Sequence, residues 1–371
     1  MLKANIPELA HQVLDVCTSL KPGERVWINS WDHTLELASG LAWECEKRNC
    51  PVVVTVQPEE LWLRSIKEAP LNVVDGLPAH QAALLQETDV YIYTLGPRSP
   101  IPWDMIPEDR QKLATFWFFE KNRFVEQWKA IARRRKVRMI GIEATLATPE
   151  RAKVLGLDFE EWSGVMFDGC MADYREVERR GNALVPFLSG DEEIHVNTPH
   201  GTDFRFKLDS RPVDFSYGLA TPGKVEKGDA VFLPSGGVGV TVDEGSGAGT
   251  VVFDVPVRTR EGTIEQLALE LEGGRIAHVS AERNQKAFER YLNQGEGDVD
   301  RLGFFGLGLN PKLRYGFTQD DKVLGSVEIN FGDNKGRGGK NNASAGWWAC
   351  VSDATVTIGE RLVLKDGNLL V

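Results

Sequence analysis

The chain has 371 residues with 43 Lys+Arg against 54 Asp+Glu, a formal charge of −11 that has the wrong sign for gripping a nucleic-acid polyanion. Hydrophobic residues make up 42% and charged residues 26%, which excludes a disordered chain and leaves apolar material for two folded cores. No run of about 18 apolar residues exists to span a bilayer and no apolar signal core opens the chain, so a cytoplasmic protein without a membrane partner is expected. The five cysteines (Cys17, Cys45, Cys50, Cys170, Cys350) are odd in number and contain no C-x-x-C pair, fitting neither a zinc knuckle nor a disulfide framework.

Ile6, Leu9, Ala10, Val13, Leu14, Cys17 and Leu20 share one helical face, and Pro22-Gly23 ends that helix before a strand at 25–28. Leu37, Ala38, Leu41, Ala42 and Cys45 mark a second helix, followed by an apolar run at 52–56 that reads as a buried strand. Strands at 89–95 and 137–142 flank a helical stretch over 110–135. Within it, Phe116-Trp117-Phe118-Phe119 reads as packed core, and Arg133-Arg134-Arg135-Lys136 as a solvated helix end that complements the macrodipole. This alternation predicts an α/β N-terminal domain with a mostly parallel sheet. Beyond residue 188 come short strands punctuated by glycine, at 193–197, 203–208, 230–233, 250–254, 275–280, 325–331 and 361–365. They predict a β-rich C-terminal domain, a sheet or partial barrel, so that the domains run 1–185 and 186–371.

Most familiar chemistry is missing. Asn29-Ser30-Trp31-Asp32-His33 follows the first strand where a nucleotide fold would carry a glycine-rich turn. Gly245-Ser246-Gly247-Ala248-Gly249 and Gly303-Phe304-Phe305-Gly306-Leu307-Gly308 read as turns and close backbone approaches. Neither H-E-x-x-H nor G-x-S-x-G occurs. His195 and His200, flanking Thr198-Pro199, read better as strand-end and turn residues than as a converging pair. The most loaded segment starts at Glu328 and gathers Asp333, Asn334, Lys335, Arg337, Lys340, Asn341 and Asn342 among glycines before Trp347-Trp348. A long polar loop of this kind carries sites: Arg337 and Lys340 suit a carboxylate, and either tryptophan suits a planar ligand.

Leu233-Pro234-Ser235-Gly236-Gly237-Val238, Gly249-Thr250-Val251-Val252-Phe253-Asp254, Gly306-Leu307-Gly308-Leu309-Asn310-Pro311, Asp321-Lys322-Val323-Leu324-Gly325-Ser326 and Phe331-Gly332-Asp333-Asn334, in this order, resemble the aminopeptidase T family of metallopeptidases. Leu20-Lys21-Pro22-Gly23-Glu24-Arg25-Val26 and Thr198-Pro199-His200-Gly201-Thr202-Asp203 match as well. The resemblance implies a two-domain homodimer whose C-terminal domain carries two divalent metals that activate a bridging water. It also marks departures. Gly237 stands where the family has a glutamate, as does Phe304. Glu328 replaces a histidine, and Trp347-Trp348-Ala349 replaces a His-Trp-Asp triplet. Of these positions only Glu328 retains a donor, and one carboxylate does not hold a dinuclear centre.

The expectation is therefore an altered, metal-independent enzyme without cofactor, cleaving a small, aromatic or anionic substrate by hydrolysis or C–N/C–C cleavage. Glu328 is its acid/base, with His200, Asp243 and Glu244 as further catalytic candidates. Phe304, Tyr315, Lys335, Arg337, Lys340, Asn341, Trp347 and Trp348 are its substrate-binding candidates. Two alternatives stand beside it: a metal-dependent hydrolase or ring-cleaving enzyme with ligands relocated to Glu328, Asp333, Asp243, Glu244 and His200, and a non-catalytic binding protein.

Overall fold

The computed structural model describes residues 5–111, 113, 123–259 and 262–371. Phe116-Trp117-Phe118-Phe119 lies outside the described residues. The chain forms two compact units, Met1–Met171 with Gly218–Pro234 and Ala172–Tyr217 with Ser235–Val371.

In the first unit, β1 (Val26–Trp31), β2 (Val52–Gln57), β3 (Val90–Thr94) and β4 (Arg138–Ile142) alternate with helices, as the periodicity predicts. The chain then enters the second unit with β5 (Glu193–Asn197), β6 (Asp203–Lys207) and β7 (Val213–Ser216). It returns to the first with β8 (Val231–Leu233). The last segment supplies β9 (Gly237–Thr241), β10 (Ala248–Phe253), β11 (Val257–Thr259), β12 (Gly262–Ile264), β13 (Leu267–Glu272), β14 (Arg275–Ser280) and β15 (Leu302–Gly308). After these come β16 (Val327–Gly332), β17 (Gly346–Val351), β18 (Thr355–Ile358), β19 (Arg361–Lys365) and β20 (Asn368–Leu369).

The first unit is a parallel sheet in the order β2-β1-β3-β4-β8. Trp27, Tyr91 and Trp128 pack ring to ring against it, with centroids 4.8 to 5.5 Å apart. Two sequence expectations change here. The run at 52–56 is an edge strand with Val53 40% and Val56 42% exposed, because an apolar run does not reveal whether a strand has neighbours on one side or two. The strand at 230–233 belongs to this sheet and not to the β-rich half, because it pairs in parallel with β4. The Arg133–Lys136 run is exposed at the end of the helix Arg123–Arg135, as expected.

The second unit contains an eight-stranded sheet, β14-β13-β10-β6-β5-β18-β19-β20, and a five-stranded antiparallel sheet, β17-β16-β15-β9-β7. Their facing side chains close a core: the Phe206 ring of β6 lies 5.4 Å from Phe305 of β15, and Phe253 of β10 lies 5.5 Å from Trp347 of β17. Fully burying each phenylalanine contributes about 1.5–3 kcal/mol. The helix Tyr174–Leu188 also belongs here rather than to the first unit as the 1–185 division has it. Its Gly181 leaves room for Tyr217, whose ring would lie 2.2 Å from a Cβ at that position.

Candidate functional site

Across the five-stranded sheet, side chains alternate between two faces. Val240, Phe305 and Ile329 turn to the core, all fully buried. On the opposite face one row reads Cys350, Glu328, Gly306, Gly239, Asp214, and the next reads Trp348, Asn330, Phe304, Thr241. Two glycines thus separate the carboxylates Glu328 and Asp214, and bare backbone floors a trough between them. A Cβ on Gly306 would sit 2.8 Å from Glu328 Oε2, and one on Gly239 would sit 2.5 Å from the Phe304 ring. Both side chains therefore rest directly on the backbone of neighbouring strands. The trough holds a cleft of about 90 Å³, lined among others by Asp214, Ser216, Phe304, Asp321, Glu328 and Arg337. That is far below the roughly 300–1,000 Å³ of ordinary ligand pockets, so only a small head group enters.

Burial pushes the Glu328 carboxyl up to about 7, and the neighbouring Asp321 charge adds to the rise, while Arg337, Asn330 and Lys322 oppose it. The Arg337 guanidinium lies 4.2 Å from the Phe304 ring centroid, a cation–π contact that places the cation at the cleft. Because Arg337 favours the ionised form of Glu328, Arg337→Gln is expected to move any Glu328-dependent limb of a pH–rate profile to higher pH. An unmoved limb would remove Arg337 from the electrostatics of this acid.

The other sequence candidates divide. Glu244 is 3% exposed and holds Arg211 in a double ion pair, Oε1 to Nη1 at 2.6 Å and Oε2 to Nη2 at 2.7 Å. Its Oε1 also accepts the Lys340 backbone N–H at 2.7 Å and the Asn334 amide at 3.0 Å. Burial raises this carboxyl, but the Arg211, Lys340 and Asn334 bonds outweigh it and hold the group at about 2. A permanently ionised, fully bonded carboxylate is a scaffold, not the catalytic group expected. Asn341 is turned into the loop: its amide N–H groups donate to Leu302 O at 2.9 Å and Gly332 O at 3.0 Å, its Oδ1 is buried without a hydrogen bond, and 1% of the residue is exposed. It cannot serve as the expected substrate ligand. Lys340 Nζ meets Asp209 at 3.1 Å and Lys335 Nζ meets Asn342 at 2.6 Å, both on the exposed outside of the loop.

Asp243 folds a turn, its Oδ1 accepting the Gly245 N–H at 3.2 Å. His195 bonds Asp203 at 2.7 Å and His200 bonds Asp353 at 3.3 Å, so the two histidines do not converge, and His200 does not line the cleft. Tyr315 is half-buried, its phenol pushed up by burial, and is also outside the cleft lining. Trp347 turns into the core against Phe288, centroids 4.6 Å apart, whereas Trp348 is 51% exposed on the cleft face. Of the twelve expected site residues, Glu328, Phe304 and Arg337 meet in one cleft, with Trp348 in the adjoining row. Asp214, Asp321 and Cys350 escaped the sequence reading, because strand register brings Cys350 and Asp214 into the row of Glu328, and the turn Asp320–Lys322 brings Asp321 to the cleft.

A larger hollow of about 510 Å³ in the same unit is lined by Phe187, Ile358 and the exposed Glu192, Glu360 and Arg361, and offers no buried reactive group. The smaller cleft is the one that holds the buried Glu328 carboxyl.

The family model of the thermophilic metalloproteases, M29, matches residues 2–313. The chain belongs to this family. No curated protein sequence matches it. Among solved structures, wild-type AmpT from Thermus thermophilus shares the fold with a TM-score of 0.68 at 17% identity over 100% of both chains. The 2,5-dihydroxypyridine dioxygenase from Pseudomonas putida KT2440 does so with a TM-score of 0.64 at 16% identity, over 99% of this chain and 97% of that one.

An M29 metalloprotease implies metal ions, and the donor set of the cleft does not fit them. Gly237 and Phe304 offer no lone pair for a cation. On β17 the residues on the cleft face are Trp348 and Cys350, while Trp347 and Ala349 face the other way. Cys350 brings a sulfur beside Glu328, but among the described residues no third ligand atom gathers with these two. Glu328, Asp333, Asp243, Glu244 and His200 do not gather: among the described residues the one group of three or more metal-ligating side chains is Asp32, His33 and Glu59, in the first unit. Among the described residues no helix is long and apolar enough to cross a membrane.

Proposed function

We propose that this M29 protein is a metal-independent hydrolase of small amide-type substrates, with Glu328 as its general base and acid. The observation that carries this is a carboxyl raised to about 7 over the glycine floor of a small cleft. A carboxylate of that basicity takes a proton from water near neutral pH and returns it to the leaving nitrogen. Arg337 and Lys322 border the same cleft and supply positive charge toward an oxyanion. Trp348 offers an exposed ring on the cleft face for the aromatic or apolar remainder of a substrate. Cleavage by the ionised base predicts that kcat/KM rises with pH through a limb near 7. The test is turnover of a panel of aminoacyl anilides and substituted aromatic amides, read by release of the amine. Binding of these compounds without any turnover would overturn the hydrolase and favour a binding protein.

A further inference from the structure

The carboxyl ends of the first unit's strands carry a second cluster of chemistry. The order β2-β1-β3 reverses direction at β1, the place where parallel sheets open a crevice at their strand ends. Asp32 and His33 follow β1 directly, and Glu59 opens the helix Glu59–Glu68 after β2. Asp32 Oδ1 accepts the His33 N–H at 2.8 Å and Oδ2 the Glu59 N–H at 3.1 Å. Glu59 in turn accepts the N–H groups of Arg98 at 3.0 Å and Ser99 at 3.2 Å, from the loop after β3. Three loops therefore meet, and one ligand atom from each of Asp32, His33 and Glu59 lies within 4.8 Å of the others.

His33 is the independent observation. Only 7% of its side chain is exposed, yet neither ring nitrogen makes a hydrogen bond, and Nδ1 stops 3.7 Å from Asp32 Oδ1. Native structures seldom bury a polar ring without a partner, and an imidazole facing two carboxylates is a donor set for a borderline divalent cation. We propose that Asp32, His33 and Glu59 bind one first-row divalent cation of the zinc type, which ties the three loops together. This site is independent of the hydrolase reading.

The test titrates zinc chloride into chelator-treated full-length protein by calorimetry, with cobalt(II) absorption and thermal unfolding as second readouts. Wild type should bind one equivalent and gain thermal stability with zinc. His33→Gln and Glu59→Gln should each weaken binding at least ~100-fold and lose the thermal shift, while Glu328→Gln should bind like wild type. Should His33→Gln fail to fold, Glu59→Gln decides. Absence of stoichiometric zinc, equal binding by wild type and both first-unit variants, or loss of binding in Glu328→Gln would each overturn the proposal.

Discussion

Glu328→Gln is expected to lower kcat/KM roughly 100- to 10,000-fold, the range that a positioned general base contributes, without preventing folding. The amide keeps the shape over Gly306 and loses only the titrating group. The same variant should become more stable than wild type at high pH. The folded-state pKa of about 7 lies above the ordinary 4.5, so the stability this group supplies is complete below about pH 4.5 and is lost as pH rises through 7. At 1.36 kcal/mol per pH unit the loss is about 3 kcal/mol, so urea unfolding should show Glu328→Gln more stable by about 2–3 kcal/mol at pH 8 and equal to wild type at pH 4. Unchanged turnover would remove Glu328 from the mechanism, and equal stabilities at pH 8 would show that its carboxyl is not strained by burial.

Glu244→Gln is expected to cost about 1–3 kcal/mol, because it takes the buried one of two carboxylates from Arg211 and leaves the guanidinium with the exposed Asp209 alone. The Asn334 and Lys340 bonds that shape the loop beneath Arg337 weaken with it. Here the sign reverses. A folded-state pKa of about 2 lies below 4.5, so the stability is present above pH 4.5 and fades as pH falls toward 2. Urea unfolding of wild type and Glu244→Gln should therefore differ most near neutral pH and converge in acid. A difference below about 1 kcal/mol at pH 7 would place the pair among ordinary surface ion pairs.

How much of this was readable beforehand follows from where glycine sits. The parallel sheet is legible because β1, β3 and β4 are short apolar runs between amphipathic helices. By contrast, β9 reads Gly-Val-Gly-Val-Thr and β15 reads Leu-Gly-Phe-Phe-Gly-Leu-Gly, where glycines interrupt the strand-forming Val, Thr and Phe and make the segments resemble turns. Those two strands floor the cleft, so the part of the fold hardest to recognise is the part that builds the site. Glu328 was recognisable from the family motif. The scaffold role of Glu244 was not, since Arg211 stands 33 positions away and only the folded chain brings them together. The one-residue difference between Ala349 and Cys350 on the cleft face likewise needed the β16–β17 register.

The most direct measurement is turnover by the His33→Gln protein before and after exhaustive chelation, since this background removes the first unit's separate donor set. A metal-independent Glu328 mechanism predicts the same rate in both samples. A rate that falls to background on chelation and returns on adding zinc or manganese would contradict it and restore a metallopeptidase centre.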